Sequence, residues 1–293
     1  MQIIEIFREG FMQMALLSSV IIGVTSSYIG VLVMLRRIIF VGIALAHFSS
    51  LGIAVAAYFH QDLMLFSLVF TALGVVIMAP RDYAKRIPSD AVIGIGLASC
   101  WALSILFLSK ADHGDAEMLT LMRGNILGAT SGDILLLICV LGSVLLLHGV
   151  FSREFLFISF DSEAAQACGI KTGIWNFIFY LTLGVSIAVS IKLAGVLLTF
   201  SYLLFPAAIS MLLTEKIRTS LLISAAISFC ASVAGLVLSF LLDFPTAPVI
   251  VAVLFLLFLM VFITFNIRQF FMKREEEAMP HSIITHKQAE SCL

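Results

Sequence analysis

The stretch Ser152-Arg-Glu-Phe-Leu-Phe-Ile-Ser-Phe-Asp-Ser-Glu-Ala-Ala-Gln-Ala-Cys-Gly-Ile-Lys-Thr-Gly173 decides how this chain is read. Long apolar runs lie on both sides of it, whereas it holds Arg153, Glu154, Asp161, Glu163 and Lys171. Its second half has the marks of a short helix. Asp161 is placed to cap the first amide groups, Glu163 suits the positive end of the helix dipole, and Gly169 can end the helix in a left-handed conformation. About two turns fit between them at the usual pitch, and Ala164, Ala165 and Ala167 keep them slim. A slim, capped, charged helix between two membrane spans fits a groove on another protein. It also fits an ordinary amphipathic loop helix, and its shape alone leaves both readings open.

Working outward, the flanks are those of a membrane protein. Of 293 residues, 61% are hydrophobic and only 12% charged, with a mean hydropathy of +1.13. Soluble domains carry about 25% charged residues, and a soluble chain of this size could not hide so much apolar surface. The five cysteines are scattered without a CxxC pair, so no disulfide framework is expected. Residues 1–11 read as an interfacial amphipathic helix with Ile3, Ile6, Phe7 and Phe11 on its apolar side. Glu5 and Glu9 stand where a signal peptide would be basic. No P-loop, nucleophile motif or paired-Cys metal site is present, so no catalytic residue is assigned. No nucleic-acid partner is expected.

A span needs about 20 mostly apolar residues. On that measure spans are expected near residues 12–35, 38–59, 63–79, 91–108 and 133–150 before the central stretch. After it they are expected near 174–191, 194–213, 221–242 and 249–267. The sixth and seventh are barely separated, so one is expected to be broken or re-entrant, giving eight or nine. Gly94 and Gly96 are small enough to allow close helix packing in the fourth. The membrane domain is thus 12–267, and the charged tail, 268–293, is expected to fray. Placing the Arg36-Arg37 turn in the cytoplasm puts thirteen of the 17 Lys and Arg residues on that side. The other side keeps Arg8, Lys110, Arg123 and Lys192. This asymmetry marks the cytoplasmic face and puts the central helix there, within reach of a nucleotide-hydrolysing partner.

Polar residues at membrane depth are costly and are candidates for function. His47, beside Ser49 and Ser50, is the foremost. A neutral imidazole is a ligand for zinc, copper or iron, and less strongly for manganese; a histidine bonded to a nearby carbonyl is the alternative. Pro206 has no N–H and frees the Tyr202 carbonyl, which then lines a cavity or marks a simple kink. The loop Asp112-His-Gly-Asp-Ala-Glu117 either attracts a cation or is merely solvated. Lys192 lines a vestibule or snorkels. Asp243 faces a pore mouth or caps a turn. His148 reads as interfacial, and His281 and His286 as solvated.

Several ordered motifs carry a resemblance. Val33-Met-Leu-Arg-Arg37 leads into Gly42-Ile-Ala-Leu-Ala-His47, and Gly124-Asn-Ile-Leu127 precedes the fifth span. Phe160 to Gly169 forms the central helix. Gly195-Val-Leu-Leu198, Phe205-Pro-Ala-Ala208 and Asp243-Phe-Pro-Thr-Ala-Pro248 follow. In this order, on this span pattern, the chain resembles the membrane permease subunits of zinc/manganese-type metal-ion ABC importers over about residues 11–265. The resemblance implies an all-α polytopic membrane bundle of eight or nine transmembrane helices with a short cytoplasmic coupling helix, in the bacterial plasma or inner membrane.

It also implies the roles of residues and partners. Asp161, Glu163, Ala164 and Gly169 would meet a cytoplasmic ATPase subunit, which binds and hydrolyses ATP; this chain itself would bind no cofactor and be no enzyme. His47, Ser49, Tyr202 and Pro206 would lie along the translocation path of a homodimer set in membrane lipid, with His47 touching the metal (zinc, manganese or iron). An extracytoplasmic metal-binding protein would deliver the ion. The family commonly has Asp four residues before this histidine, on the same helical face; this chain has Ile43. Losing that hard anionic ligand matters most for manganese, and leaves an ABC permease for a non-metal cargo as one alternative. A secondary transporter, the other, would usually need intramembrane carboxylates for coupling, and the spans are nearly free of them. A membrane enzyme would need a His, Asp or Glu cluster, and only His47 is at membrane depth.

Overall fold

The computed structural model of the chain describes residues 10–78, 88–111 and 124–278. The N-terminal segment through residue 9, the Pro80–Arg86 and Asp112–Glu117 loops, His281 and His286 lie outside the described residues. Among those described, all regular structure is helical. The helices are α1 (Gly10–Leu35), α2 (Ile39–Phe59), α3 (Leu63–Met78), α4 (Ser89–Leu108) and α5 (Ser131–Val150), then the short α6 (Ser152–Phe160) and α7 (Ser162–Ala167). After them come α8 (Thr172–Leu213), α9 (Ile217–Leu242) and α10 (Thr246–Ala278). Seven of these are long and apolar enough to cross a membrane, and α3 is a shorter apolar helix. Helix α10 runs past Ile267 to Ala278, and the rest of the tail lies outside the described residues.

The ends of the helices follow from local chemistry. Thr130 and Asp133 form a capping box at the start of α5. Helices α1, α2 and α7 each end on a left-handed residue, respectively Arg37, His60 and Gly169. At Arg37 the turn is closed by Ile38 N–H to Val33 C=O and Arg37 N–H to Met34 C=O, the Schellman pattern. It reverses the chain into α2 within three residues, and sends Arg36 inward and Arg37 outward.

The 42-residue α8 is too long for one span and is broken at Gly195 (φ 73°, ψ 170°). Asn176 bonds Arg36, yet Leu203 packs against Gly30 and Gly42, on either side of that same Arg36 turn. A straight helix would set positions 176 and 203 about 40 Å apart, so the second half folds back. The break, at Gly195, is therefore separate from Pro206, which sits within the returning half. The Leu193 carbonyl at the break accepts the Asn125 N–H at 2.8 Å. Gly124 (φ 71°) rests on the same corner, where an added Cβ would lie 2.3 Å from the Ala194 carbonyl carbon. Sequence spacing alone does not explain why Gly124-Asn125 precedes the fifth span; the structure shows it docked on the break. Gly124→Ala therefore meets both a left-handed backbone, at about 1–2 kcal/mol, and a backbone clash. A fall in stability of about 3 kcal/mol is expected in detergent unfolding of the purified chain. A loss below 1 kcal/mol would refute the docking.

Helix association in lipid relies on close packing of small residues and on interhelical hydrogen bonds. Gly52 lies against the Phe66 backbone of α3, Gly74 against Phe48, and Gly235 against Ile250. Of the two glycines in α4, Gly96 meets Met78 and Phe48, and Gly94 has open space. One face of α9 is a run of buried serines, Ser220, Ser224, Ser228 and Ser232. Tyr202 crosses between α9 and α1, its hydroxyl 2.5 Å from Ser232 and 2.7 Å from Ser19.

Candidate functional site

Two regions gather the residues singled out by sequence. The first is a cavity of about 230 Å³ around His47. Ile43, Ala46, His47 and Ser50 supply one wall, at the i, i+3, i+4, i+7 spacing of a single helical face. Trp101 and Ser104 of α4 face them, and Val196, Leu197 and Phe200 close the third side directly after the Gly195 break. The His47 ring lies 4.6 Å from the Trp101 ring, between centroids. The side chain is 8% exposed. The alternative of a histidine tied to a nearby carbonyl is not what is seen: ring contact with Trp101 is its interaction among the described residues. Trp101, Ile105 and Leu197 on the rim are exposed, so the cavity opens on the outer surface of the bundle.

The other sequence-derived path residues sit elsewhere. Ser49 points away from the cavity and pairs with Ser67 of α3 at 2.7 Å; the serine of α2 that lines the cavity is Ser50. Tyr202 is fully buried in its serine network, and Pro206 is buried in the interior of α8. Neither lines the His47 cavity. Ile43 does, so an apolar side chain occupies the wall one turn before the histidine. Among the described residues, no group of three or more His, Cys, Asp and Glu side chains could hold a metal ion. A single chain therefore offers a passing ion one imidazole and hydroxyls, a weak and open donor set.

The second region is the Arg36 end. The Asp161 carboxylate accepts N–H bonds from Glu163 and Ala164, at 3.0 and 2.9 Å. Gly169 (φ 84°) closes α7, with Ile170 N–H donating to Ala165 C=O. Ala165 is the buried residue of α7; Glu163, Gln166, Ala167 and Cys168 are exposed. The capped helix is thus seated by Ala165, with Ala164 half-buried beside it, and presents its other side chains outward. The first half of the opening stretch, which carries no cap or stop signal in the sequence, is itself a helix, α6. Its Phe155 is fully buried, stacked on His148 with ring centroids 4.3 Å apart. His148, expected at the interface, is instead fully buried and bonded to Thr182 at 2.9 Å.

Arg36 ties this end together. Its guanidinium donates to Ser159 Oγ and Asn176 Oδ1, each at 2.8 Å, and to the Phe155 carbonyl at 3.3 Å. It lies 3.9 Å over the Phe179 ring, a cation–π geometry. Burial pushes its pKa down to about 10, so it stays charged at neutral pH. One side chain thus joins the α1–α2 turn to α6 and to the start of α8. The double arginine marked this turn as cytoplasmic in sequence, but nothing in the spacing shows that the first arginine turns inward. At the opposite end, Lys192 pairs with Asp133 at 2.8 Å, an exposed bridge where a vestibule or snorkelling lysine was expected. Asp243 is the left-handed residue closing α9, which fits the turn-capping role.

Comparison with known proteins adds a family to this geometry. The profile of the ABC 3 transport family matches residues 8–265. The manganese transport system membrane protein MntC of Listeria innocua is 27% identical over 258 residues, covering 88% of this chain and 92% of that protein. The manganese import system permease protein ScaB of Streptococcus gordonii is 29% identical over 252 residues, 86% of this chain and 90% of its own. Among solved structures, PsaBC from Streptococcus pneumoniae in complex with Fab aligns with a TM-score of 0.80 at 25% identity, covering 89% of this chain and 94% of that one. Every element described here from α1 to the greater part of α10 falls inside the matched region, and the chain belongs to the ABC 3 transport family.

Proposed function

We propose that this multi-pass protein of the bacterial cell membrane is the permease subunit through which an ABC system imports a divalent first-row metal ion. Hydrolysis of ATP belongs to a partner subunit. The observation that carries the path is the His47 cavity, placed at the helix break and open on the bundle surface. Manganese is the first cargo to test, because it is the ion in the names of the similar MntC and ScaB proteins. Zinc and iron follow from the donor chemistry of imidazole. With Ile43 beside it, His47 acts as a transient contact, and a second copy of the chain supplies its own His47 across a shared path. The count that goes with this reading is nine spans: α1 to α5, the two halves of α8, α9 and α10.

The test is ATP-driven uptake of radioactive manganese into vesicles holding the chain, its ATPase and its extracytoplasmic metal-binding protein. His47→Ala is expected to reduce uptake at least about ten-fold, the loss of roughly 1.4 kcal/mol of stabilisation along the path, with ATP hydrolysis retained. Uptake equal to that of the parent would remove His47 from the path. No uptake of manganese, zinc or iron by the hydrolysing parent complex would remove the metal from the proposal.

Asp161, Glu163, Ala164 and Gly169 build the surface that meets the ATPase in this reading, and α7 carries its own probe. Cys168 is exposed at the end of α7. In a variant keeping Cys168 alone, maleimide labelling should fall at least about five-fold on addition of the ATPase, since a docked interface excludes solvent from its centre. Unchanged labelling in a complex that co-purifies would place the ATPase on another surface.

A further inference from the structure

Beside the Arg36 cluster lies a chamber of about 470 Å³ that the transport reading does not use. Its polar wall is Arg36, Arg37, Ser159, Ser162, Asn176 and Tyr180. Tyr180 is 6% exposed, and its hydroxyl makes no hydrogen bond among the described residues. Because Tyr180 lines the chamber, its hydroxyl is a donor open to whatever the chamber holds. The chamber walls contain cations and no carboxylate. Asp161, next in sequence to the wall, is occupied in capping α7. Three of the five Arg36 N–H donors are directed at protein acceptors, leaving two. Arg37 is exposed. The site is therefore built for an anion with several acceptor oxygens.

The rest of the wall says which anion. Leu35, Ile38 and Phe160 continue the chamber into apolar surface. Phe40, Phe160, Ile174 and Phe177 stand exposed near this end of the bundle. A water-soluble anion, or an acidic side chain on a partner protein, needs no such apolar rim, whereas an amphiphile does. We propose that the chamber binds the phosphate headgroup of an acidic membrane phospholipid, with Tyr180 donating to a phosphate oxygen, Arg37 supplying charge, and the acyl chains lying along Leu35, Ile38 and Phe160. The bound lipid bridges the α1–α2 turn, α6 and the start of α8.

The experiment is lipid retention by the purified full chain in detergent, read by native mass spectrometry after exposure to phosphatidylglycerol, phosphatidylcholine or inorganic phosphate. One phosphatidylglycerol per chain should be retained about five-fold or more over phosphatidylcholine. Tyr180→Phe and Arg37→Gln, neither of which removes a side-chain hydrogen bond among the described residues, should each lower retention about five-fold, the effect of one lost polar contact. Equal retention of the two phospholipids, or retention indifferent to both substitutions, would overturn the proposal. Capture of inorganic phosphate with no preference for phosphatidylglycerol would make the site one for a free anion. Loss of the lipid from the assembled chain–ATPase complex would assign the chamber to an acidic group of the partner instead.

Discussion

Gly30→Val is expected to prevent the bundle from closing. A Cβ at Gly30 would stand 1.9 Å from the Leu203 carbonyl oxygen and 2.9 Å from its carbon. Both are backbone atoms, so no rotamer change relieves the overlap, and α1 and the returning half of α8 must move apart. That separation also breaks the contacts around Tyr202, whose ring lies where a Cβ at Gly23 would be only 3.1 Å away and whose hydroxyl bonds Ser19 across the same interface. Overpacking in a well-fitted core costs about 1–3 kcal/mol. Here the interhelical hydrogen bond is lost as well, about 0.6 kcal/mol more in membrane proteins. Destabilisation of about 3 kcal/mol or more should appear as a sharp drop in monodisperse protein on size exclusion and a lower unfolding midpoint. Gly142→Ala is the control, because nothing lies within 4 Å of the position its new Cβ would take; it should be neutral or gain up to about 1 kcal/mol from helix propensity. Similar behaviour of the two variants would mean that α1 does not sit on Leu203.

The contrast between those two glycines shows what sequence can and cannot disclose. The spans were legible because lipid imposes a length and a polarity on every crossing segment; seven expected helix ends, from Leu35 to Leu242, fall within one residue of those observed, and the expected end at 191 lies four residues before the Gly195 break. The α7 cap was legible because an Asp cap and a Gly stop act within one turn of chain. By contrast, Gly30, Gly94 and Gly142 look alike in sequence, and only the partner helix separates them. Arg36 and Arg37 are neighbours of one type, yet a left-handed Arg37 sends them in opposite directions. Ser49 and Ser50 likewise fall on different faces of α2, so the serine next to His47 in the cavity could not be chosen from proximity in sequence. Trp101 and the Val196 wall reach His47 only through tertiary packing. The break at Gly195 was foreshadowed by the near-absent gap between two spans, but the competing signal at Pro206 drew attention to a site where the helix in fact continues.

Arg36→Met is expected to uncouple ATP hydrolysis from transport while the ATPase stays bound. In the proposed reading α7 is the surface that meets the ATPase, and α7 follows α6 with only Asp161 between them. Helix α6 is held by Arg36 through Ser159 and the Phe155 carbonyl. Arg36 in turn sits in the three-residue turn before α2, which carries His47 two turns further on. A displacement of α7 therefore has a short contiguous route to the cavity, and one guanidinium is the joint. Methionine keeps much of the side-chain volume but none of the donors. Lysine offers a point charge and cannot reach three acceptors in a plane, so Arg36→Lys should not rescue. Hydrogen bonds to a charged group are worth about 1.5–3 kcal/mol each before the cost of burying that charge, so a net loss of about 3 kcal/mol in unfolding stability is expected. A double-mutant cycle with Asn176→Ala should return a coupling of about 1.5 kcal/mol. In vesicles, metal uptake per ATP hydrolysed should fall about ten-fold or more, while Cys168 remains protected by the ATPase. If uptake and hydrolysis fall together in proportion, Arg36 holds the fold but transmits nothing. If neither changes, the motion of α7 reaches the cavity by another route.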